Sequence, residues 1–483
     1  MSYAAAVDHL YALGHELAPA SPSAPRRKFD LAHMRVLAAA LGGPQAAFPS
    51  VLIAGTNGKG STAATLASIL TAAGYRTGLY TSPHLFRVNE RIQIDGRQIS
   101  DEDFARLYFQ VDETARRLVE AGELPHPPSF FEVLTALAFL YFAGEGAALA
   151  KPVDIAILEV GLGGRLDATN IVDPILSIIT DIALDHQEYL GNTIAEITRE
   201  KAGILRPNGT LVTLPQHPEA NQAIGEAAAM LNLTAISAAN FVPHLAPRSS
   251  QGETRTFEHA TPLPANSYTV TIDGQPLEVD SPLSGHHQQR NLALAIAAAN
   301  YLRNLDSYKS SQNGSSRNRI SYKIANSAIE TGIRNTRWPG RLELLTFPAG
   351  PSLLLDVAHN PAGAWTLRAA IADLPEAQPR TLLFSCLRDK DLREMSQILF
   401  PLFDSSADRP YDHILFAPIN NPRAASLDEL LAAARALDIP AQAAPDLPAA
   451  LTLARELTPA NGLILATGSV YLVGEVRQLA VQG

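Results

Sequence analysis

Short, continuous apolar runs punctuate this chain, and the residues between them follow a helical period. Ser50-Val-Leu-Ile-Ala54 is one such run, and it reads as a strand covered on both faces. A Gly-rich turn follows. Helical spacing then links Thr62, Leu66, Ile69 and Leu70 and stops at Gly74, and Thr77 to Tyr80 reads as a second strand. This is a βαβ opening. Val153 to Val160 and Ile175 to Thr180 are further buried strands of the parallel type.

From Pro243 to Asp280 the pattern changes to alternation, around Tyr268 to Ile272 and Leu277 to Val279, which predicts a β excursion. Helical spacing from Asn291 to Leu302 leads into Ser307 to Arg319, a Ser/Asn/Gly-rich stretch with too little apolar surface to bury, predicted as a disordered insertion. Beyond Trp338 a second series begins, with strands at Ser352 to Leu355, Thr381 to Phe384, His413 to Ala417 and Leu463 to Ala466, each followed by helical spacing. The pattern predicts an α/β protein with a mostly parallel sheet in residues 1–336 and a smaller α/β domain in residues 337–483.

Length supports more than one domain, because 483 residues exceed the size at which a single core stops growing. The 38 Lys and Arg against 48 Asp and Glu give a net charge of −10, which argues against a broad nucleic-acid or anionic-lipid surface. An anionic substrate must then meet a local basic pocket. The single cysteine, Cys386, excludes an internal disulfide and a cysteine-built metal site and fits a reducing compartment. Residues 1–20 lack a basic start and an uninterrupted apolar stretch, so the expected location is the cytoplasm, without a membrane span.

Candidate chemistry lies where strands end. Gly55-Thr56-Asn57-Gly58-Lys59-Gly60-Ser61 joins a strand to a helix, where backbone N–H groups and the helix N-terminus can cradle phosphate oxygens. Lys59 adds a point charge, and Ser61 an oxygen for Mg²⁺. Only two residues separate Gly55 from Gly58, and Gly60 stands between Lys59 and Ser61, a departure from the general phosphate-loop pattern. Thr81-Ser82-Pro83-His84 follows the next strand, at the edge where open α/β sheets bind ligands, so Ser82 could reach the same metal; a plain Ser-Pro turn is the alternative.

Glu159 ends a hydrophobic strand and is followed by Gly161, Gly163, Gly164 and Arg165. A buried carboxylate needs a partner, which is either Mg²⁺ or Arg165 in an ion pair. His186 is expected at the same sheet edge and could ligate metal as a neutral imidazole. Thr193-x-x-Glu196 is a capping box, and the helix it opens carries Lys201 near its other end, where a cation can also simply meet the helix dipole. In the second domain Arg341 could complete the charge on phosphates, and Asp356 could accept from a ribose hydroxyl or position Arg341.

Taken in order, AGTNGKGS at Ala54 to Ser61, TSPHL at Thr81 to Leu85, EVGLGGRLDATN at Glu159 to Asn170, REKAGI at Arg199 to Ile204 and DVAHNP at Asp356 to Pro361 resemble the signatures of the folylpolyglutamate synthase and dihydrofolate synthase family, within the Mur-type ATP-dependent ligases. The resemblance covers nearly the whole chain. It implies a nucleotide-binding central domain, a C-terminal Rossmann-like α/β domain that closes on it, and catalysis between them. Carried over, it assigns Lys59 and Ser61 to phosphates, Ser82 and Glu159 to one Mg²⁺, and His186 to a second. It matches Lys201 to a lysine carried as a carbamate, and Asn291, Arg341 and Asp356 to nucleotide contacts. Ser129, Phe130, Phe131 and Glu132, with Leu166, Asp167 and Ala168, match segments around a pterin, where aromatic surface suits stacking on a flat ring.

The implied reaction is ATP-dependent addition of L-glutamate to dihydropteroate, to the glutamate tail of reduced folates, or to both, through an acyl phosphate, with ADP and phosphate released. Whether a monovalent cation assists is left open, and a monomer is expected. Two other readings compete: a Mur-type ligase of cell-wall precursors, against which the TSPHL and DVAHNP segments weigh, and a non-catalytic nucleotide switch, for which no guanine-reading Asn-Lys-x-Asp is present.

Overall fold

The computed structural model describes residues 2–14, 30–146, 151–243, 263, 265–305, 321–375, 378–405 and 409–482. The stretch expected to be a disordered insertion and most of the segment before Tyr268 lie outside the described residues. Two compact units divide the chain: Met1–Val242 with Tyr268–Asp280 and Arg290–Thr336, and Pro243–Ser267 with Ser281–Gln289 and Arg337–Gly483. Two stretches N-terminal to residue 337 thus belong with the second unit, across the single boundary read from the sequence.

The first unit is built on an eight-stranded sheet. Its strands are β1 (Ser50–Ala54), β2 (Thr77–Tyr80), β3 (Ile92–Ile94), β4 (Arg97–Gln98), β5 (Ile155–Glu159), β6 (Leu176–Ile179), β7 (Thr210–Thr213) and β8 (Thr234–Ser237), in the order β4-β3-β2-β5-β1-β6-β7-β8. The six strands from β2 to β8 run parallel, and β3 and β4 add an antiparallel edge. Every residue of β1 is buried between β5 and β6, as a continuous apolar run requires. Leu52 and Ile53 have no exposed surface, and each such side chain contributes roughly 1.5–3 kcal/mol on burial.

Four helices position the site: α1 (Lys59–Ala72), α2 (Phe130–Leu140), α3 (Ile194–Ala202) and α4 (His286–Arg303), which belongs to this unit from Arg290 onward. The last of these begins before Asn291, where its apolar period starts. A fifth, α5 (Asn326–Asn335), lies against α1 closely enough for Ser68 to donate to the Gly332 carbonyl at 2.7 Å. The expected β excursion is a two-stranded hairpin, β9 (Asn266–Ile272) and β10 (Gln275–Ser281). Asp273 and Gly274 join its strands with φ of 49° and 75°, the two left-handed residues that suit a tight hairpin turn.

The second unit carries a six-stranded sheet of β11 (Glu343–Leu345), β12 (Ser352–Leu355), β13 (Arg380–Phe384), β14 (His413–Phe416), β15 (Gln442–Ala443) and β16 (Leu463–Thr467), ordered β11-β12-β16-β13-β14-β15. All pairs are parallel except β11 with β12. Helix α6 (Pro361–Ile371) follows β12, capped by Asn360, whose Oδ1 accepts from the Gly363 amide at 2.8 Å. Among the described residues no helix is long and apolar enough to cross a membrane.

Candidate active site

The phosphate-loop candidate is pinned from below by the chain that leaves β6. The amides of Thr56 and Asn57 both donate to the Asp181 carbonyl, at 2.9 and 3.1 Å, and the Thr180 hydroxyl donates to the Asn57 carbonyl at 2.7 Å. The Thr56 hydroxyl donates to the Ala183 carbonyl and accepts from the Ala183 amide. Two glycines admit this path. Gly55 has φ 154°, and a Cβ there would lie 1.8 Å from Thr180 Oγ1; Gly58 has φ 86°, and a Cβ there would lie 2.2 Å from Asn291 Oδ1. Asn291, itself buried in α4, therefore packs directly on the loop.

Helix α1 starts at Lys59 with no side-chain cap, so its first-turn amides, which lack intrahelical acceptors, face the position a phosphate would take. Lys59 Nζ folds back onto the Thr56 carbonyl at 3.1 Å, keeping its charge over the loop. Gly60 and Ser61 are buried in the same turn. Sequence reading stopped at Ser61 and missed Thr62, whose hydroxyl is fully buried with no hydrogen-bond partner among the described residues. Its place one residue past Ser61 was the available signal.

Register puts Glu159 beside this loop. In the parallel ladder Ile53 of β1 is level with Glu159 of β5, and β2 ends level with Leu158. Glu159 is buried, and its Oε2 accepts the Ser82 amide at 3.1 Å. The alternative partner, Arg165, instead forms a side-on pair with Glu200, its Nε and Nη2 lying 3.1 and 3.0 Å from Glu200 Oε1. Glu159, Ser82 and Ser61 thus bring hard oxygen donors from three elements to one sheet edge, a donor type that fits Mg²⁺.

His186 is at the same edge in a left-handed conformation, φ 50°, and its amide donates to Asp185 Oδ1 at 2.9 Å. Lys201, in the last turn of α3, is not a solvated cation at a helix end. It is 5% exposed, and its Nζ donates to the Gly55 carbonyl at 2.7 Å, so it reaches the phosphate loop. As an ammonium it cannot ligate a cation. Among the described residues no group of three or more His, Cys, Asp or Glu side chains is arranged to hold a metal ion.

The expected pterin segments divide. Phe130 is 3% exposed, packed at 5.6 Å from the Tyr11 ring and under the Arg91 guanidinium at 5.3 Å, so it offers no face for stacking. Phe131 is half-buried, 5.9 Å from Tyr80, and covers the backbone of Gly161. Ser129 and Glu132 form a capping box at the start of α2, with Glu132 Oε2 accepting both the amide and the hydroxyl of Ser129. Their polar groups hold the helix end.

Asp167, also expected to meet substrate, is occupied by its own loop. One oxygen accepts the Gly161 and Leu162 amides, and the other accepts the amide and hydroxyl of Thr169. A carboxylate has about four lone-pair sites, and all four are taken. Burial pushes its pKa up, while these bonds pull it back. Asp167 therefore shapes the loop that presents half-buried Leu166 and buried Ala168.

In the second unit Asp356 ends β12, with one oxygen on the Leu342 amide at 3.0 Å and the other on the Ala358 amide at 2.9 Å. Burial raises its pKa, and the Arg341 charge opposes the shift. Leu342 follows Arg341 in the chain, so Asp356 holds the backbone next to Arg341. His359 directs Nδ1 at the Val357 carbonyl at 2.8 Å; because a carbonyl only accepts, the neutral ring carries its proton there.

Comparison with known proteins agrees with this architecture. The Mur ligase middle domain matches residues 145–299, and the Mur ligase glutamate ligase domain matches residues 340–470. The Bacillus subtilis (strain 168) dihydrofolate synthase/folylpolyglutamate synthase is 34% identical over 455 residues, covering 93% of this chain and 95% of its own. The Escherichia coli (strain K12) protein of the same name is 31% identical over 380 residues, 78% of this chain and 75% of its own. Among solved structures, Mycobacterium tuberculosis folylpolyglutamate synthase complexed with ADP and AMPPCP superposes with a TM-score of 0.80 at 29% identity, covering 99% of each chain. An E. coli relative in complex with DHPP and ADP gives 0.76 at 27%, covering 100% of this chain and 98% of its own. Fold and both matched domains are those of a Mur-type ligase. The chain belongs to the dihydrofolate synthase/folylpolyglutamate synthase family.

Proposed function

We propose that this chain is an ATP-dependent ligase that joins L-glutamate to a pterin-bearing acid: dihydropteroate, the glutamate tail of a reduced folate, or both. The observation that carries the reading is the meeting of the uncapped α1 terminus, Lys59, Ser82 and buried Glu159 at one sheet edge, in a chain of this family. ATP as the phosphoryl donor is supported by relatives solved with ADP and AMPPCP.

The carboxylate of the acid attacks the γ-phosphorus of ATP, the bond to the β–γ bridging oxygen breaks, and ADP leaves. The acyl phosphate so formed is attacked at carbon by the glutamate amine; its C–O bond to phosphate breaks, the nitrogen loses a proton to solvent, and the amide remains. Protein catalysis of phosphoryl transfer is mostly positioning and charge stabilisation. The amides of the loop Gly55 to Ser61 and Lys59 would hold the β- and γ-phosphate oxygens. Ser61, Ser82 and Glu159 would hold Mg²⁺, which when bound neutralises charge on the phosphates. Lys201 would join His186 around a second ion only as its carbamate, an anion. Asn291, Arg341 and Asp356 are assigned to nucleotide recognition, Arg341 directly and Asp356 through the Leu342 amide. Phe131, Leu166 and Ala168 are the surface assigned to the pterin, with Ser129, Glu132 and Asp167 fixing its walls. The enzyme is taken to act as a monomer in the cytoplasm, carrying both glutamate additions.

ADP release by the purified protein tests the reading. Release that requires ATP, Mg²⁺, glutamate and either dihydropteroate or tetrahydrofolate is expected. Silence with both acids, or release independent of them, would overturn it.

A further inference from the structure

Asp181 touches the phosphate loop with its backbone and a distant helix with its side chain. Its carbonyl takes the Thr56 and Asn57 amides, so any shift of Asp181 moves the loop. Its carboxylate is gripped side-on by Arg290, with Nε 2.9 Å from Oδ2 and Nη2 2.5 Å from Oδ1, and Arg290 Nη2 also donates to the Pro215 carbonyl at 2.9 Å. Arg290 precedes Asn291, whose side chain occupies the space beside Gly58. The circuit closes on the loop from both ends: Thr56 and Asn57 through Asp181, and Gly58 through Asn291.

The two side chains are 31% and 40% exposed, and an ion pair in such a setting adds little to global stability. Direction is what it supplies, because a planar guanidinium held by two bonds fixes both partners in angle as well as distance. We propose that Asp181 and Arg290 are a positioning pair that sets the phosphate loop for ATP, and that their loss weakens nucleotide binding while leaving the pterin-bearing acid nearly untouched. The proposal rests on the functional reading above, in which that loop binds ATP.

The test is direct binding of MgATP to wild type, Asp181→Asn, Arg290→Gln and the double variant by calorimetry, with KM for ATP and for the acid and the melting temperature alongside. Arg290→Lys, which keeps the charge and loses the fork, covers the case in which Arg290→Gln does not fold. Each single variant is expected to weaken ATP binding about tenfold, and the double variant no further, since both remove one interaction. KM for the acid should stay within about twofold, as uniform binding by a different subsite would. Wild-type binding with unchanged affinity in both singles overturns the pair alone, as does a fall in melting temperature that lowers every constant together. A wild type that binds no ATP sinks the functional reading and the pair with it.

Discussion

Asp167 accepts both the amide and the hydroxyl of Thr169 on one carboxylate oxygen, at 3.0 and 2.5 Å, and gives its other oxygen to the amides of Gly161 and Leu162. A residue expected to meet substrate is thereby a strut within the glycine loop that follows Glu159. Asp167→Asn turns an NH₂ toward two amide donors at one end and leaves them unpaired. A loss of about 3 kcal/mol in unfolding free energy is expected, because each buried unsatisfied group costs about 1–3 kcal/mol. Chemical denaturation measures it, and a cost under about 0.5 kcal/mol, the scale of a neutral surface change, would show that the four bonds matter little.

Gly58→Ala places a methyl 2.2 Å from Asn291 Oδ1 and does so at a φ of 86°. Left-handed backbone costs a non-glycine residue roughly 1–2 kcal/mol, and the Asn291 amide must also turn away. KM for ATP is expected to rise about tenfold or more, with the melting temperature shifted by only a few degrees. An unchanged KM for ATP would separate the Gly58–Asn291 contact from nucleotide binding.

Lys201 offers a sharp substitution test. Lys201→Arg keeps a cationic donor near the Gly55 carbonyl but is not expected to carry a carbamate under these conditions. If the carbamate is required, turnover falls at least about a hundredfold, in the range typical of losing a preorganised electrostatic group. Near-normal turnover of Lys201→Arg would leave only the hydrogen bond to Gly55.

Glu196 closes the capping box that starts α3, and its amide donors Asn192 and Thr193 hold its pKa below the ordinary 4.5. A carboxylate with a depressed folded pKa contributes stability that is present above its unfolded value and is lost as pH falls through the folded one. Glu196→Gln should therefore melt lower than wild type at neutral pH, and the gap should narrow as pH drops below about 4.5. A gap independent of pH would assign the difference to something other than the charge.

How much of this was legible in the sequence follows from where each partner lies. Strands with two covered faces announce themselves, as β1, β5 and β12 do, each buried along its whole length. Edge strands do not: β8 exposes Thr234, Ala235 and Ser237, and β4 exposes both its residues, so neither leaves an apolar run to read. Phosphate-loop chemistry was legible because the loop is local. Lys201 with Gly55 and Arg290 with Asp181 are separated by 146 and 109 residues, and three of the loop's anchors are backbone carbonyls that no residue type encodes. Phe130 and Phe131 are adjacent in sequence, yet one is in the core and the other half-buried, a difference set by the packing of α2.

The central claim is that the acid is activated by ATP through its own carboxylate oxygen. It is tested most directly by labelling the carboxylate of dihydropteroate or of a reduced folate with heavy oxygen and measuring the isotope in the phosphate released with glutamate present. Transfer of one labelled oxygen into each phosphate is expected, because the attacking carboxylate oxygen leaves with the phosphoryl group. Phosphate that carries no label while amide accumulates would contradict the acyl phosphate and the ligase mechanism built on it.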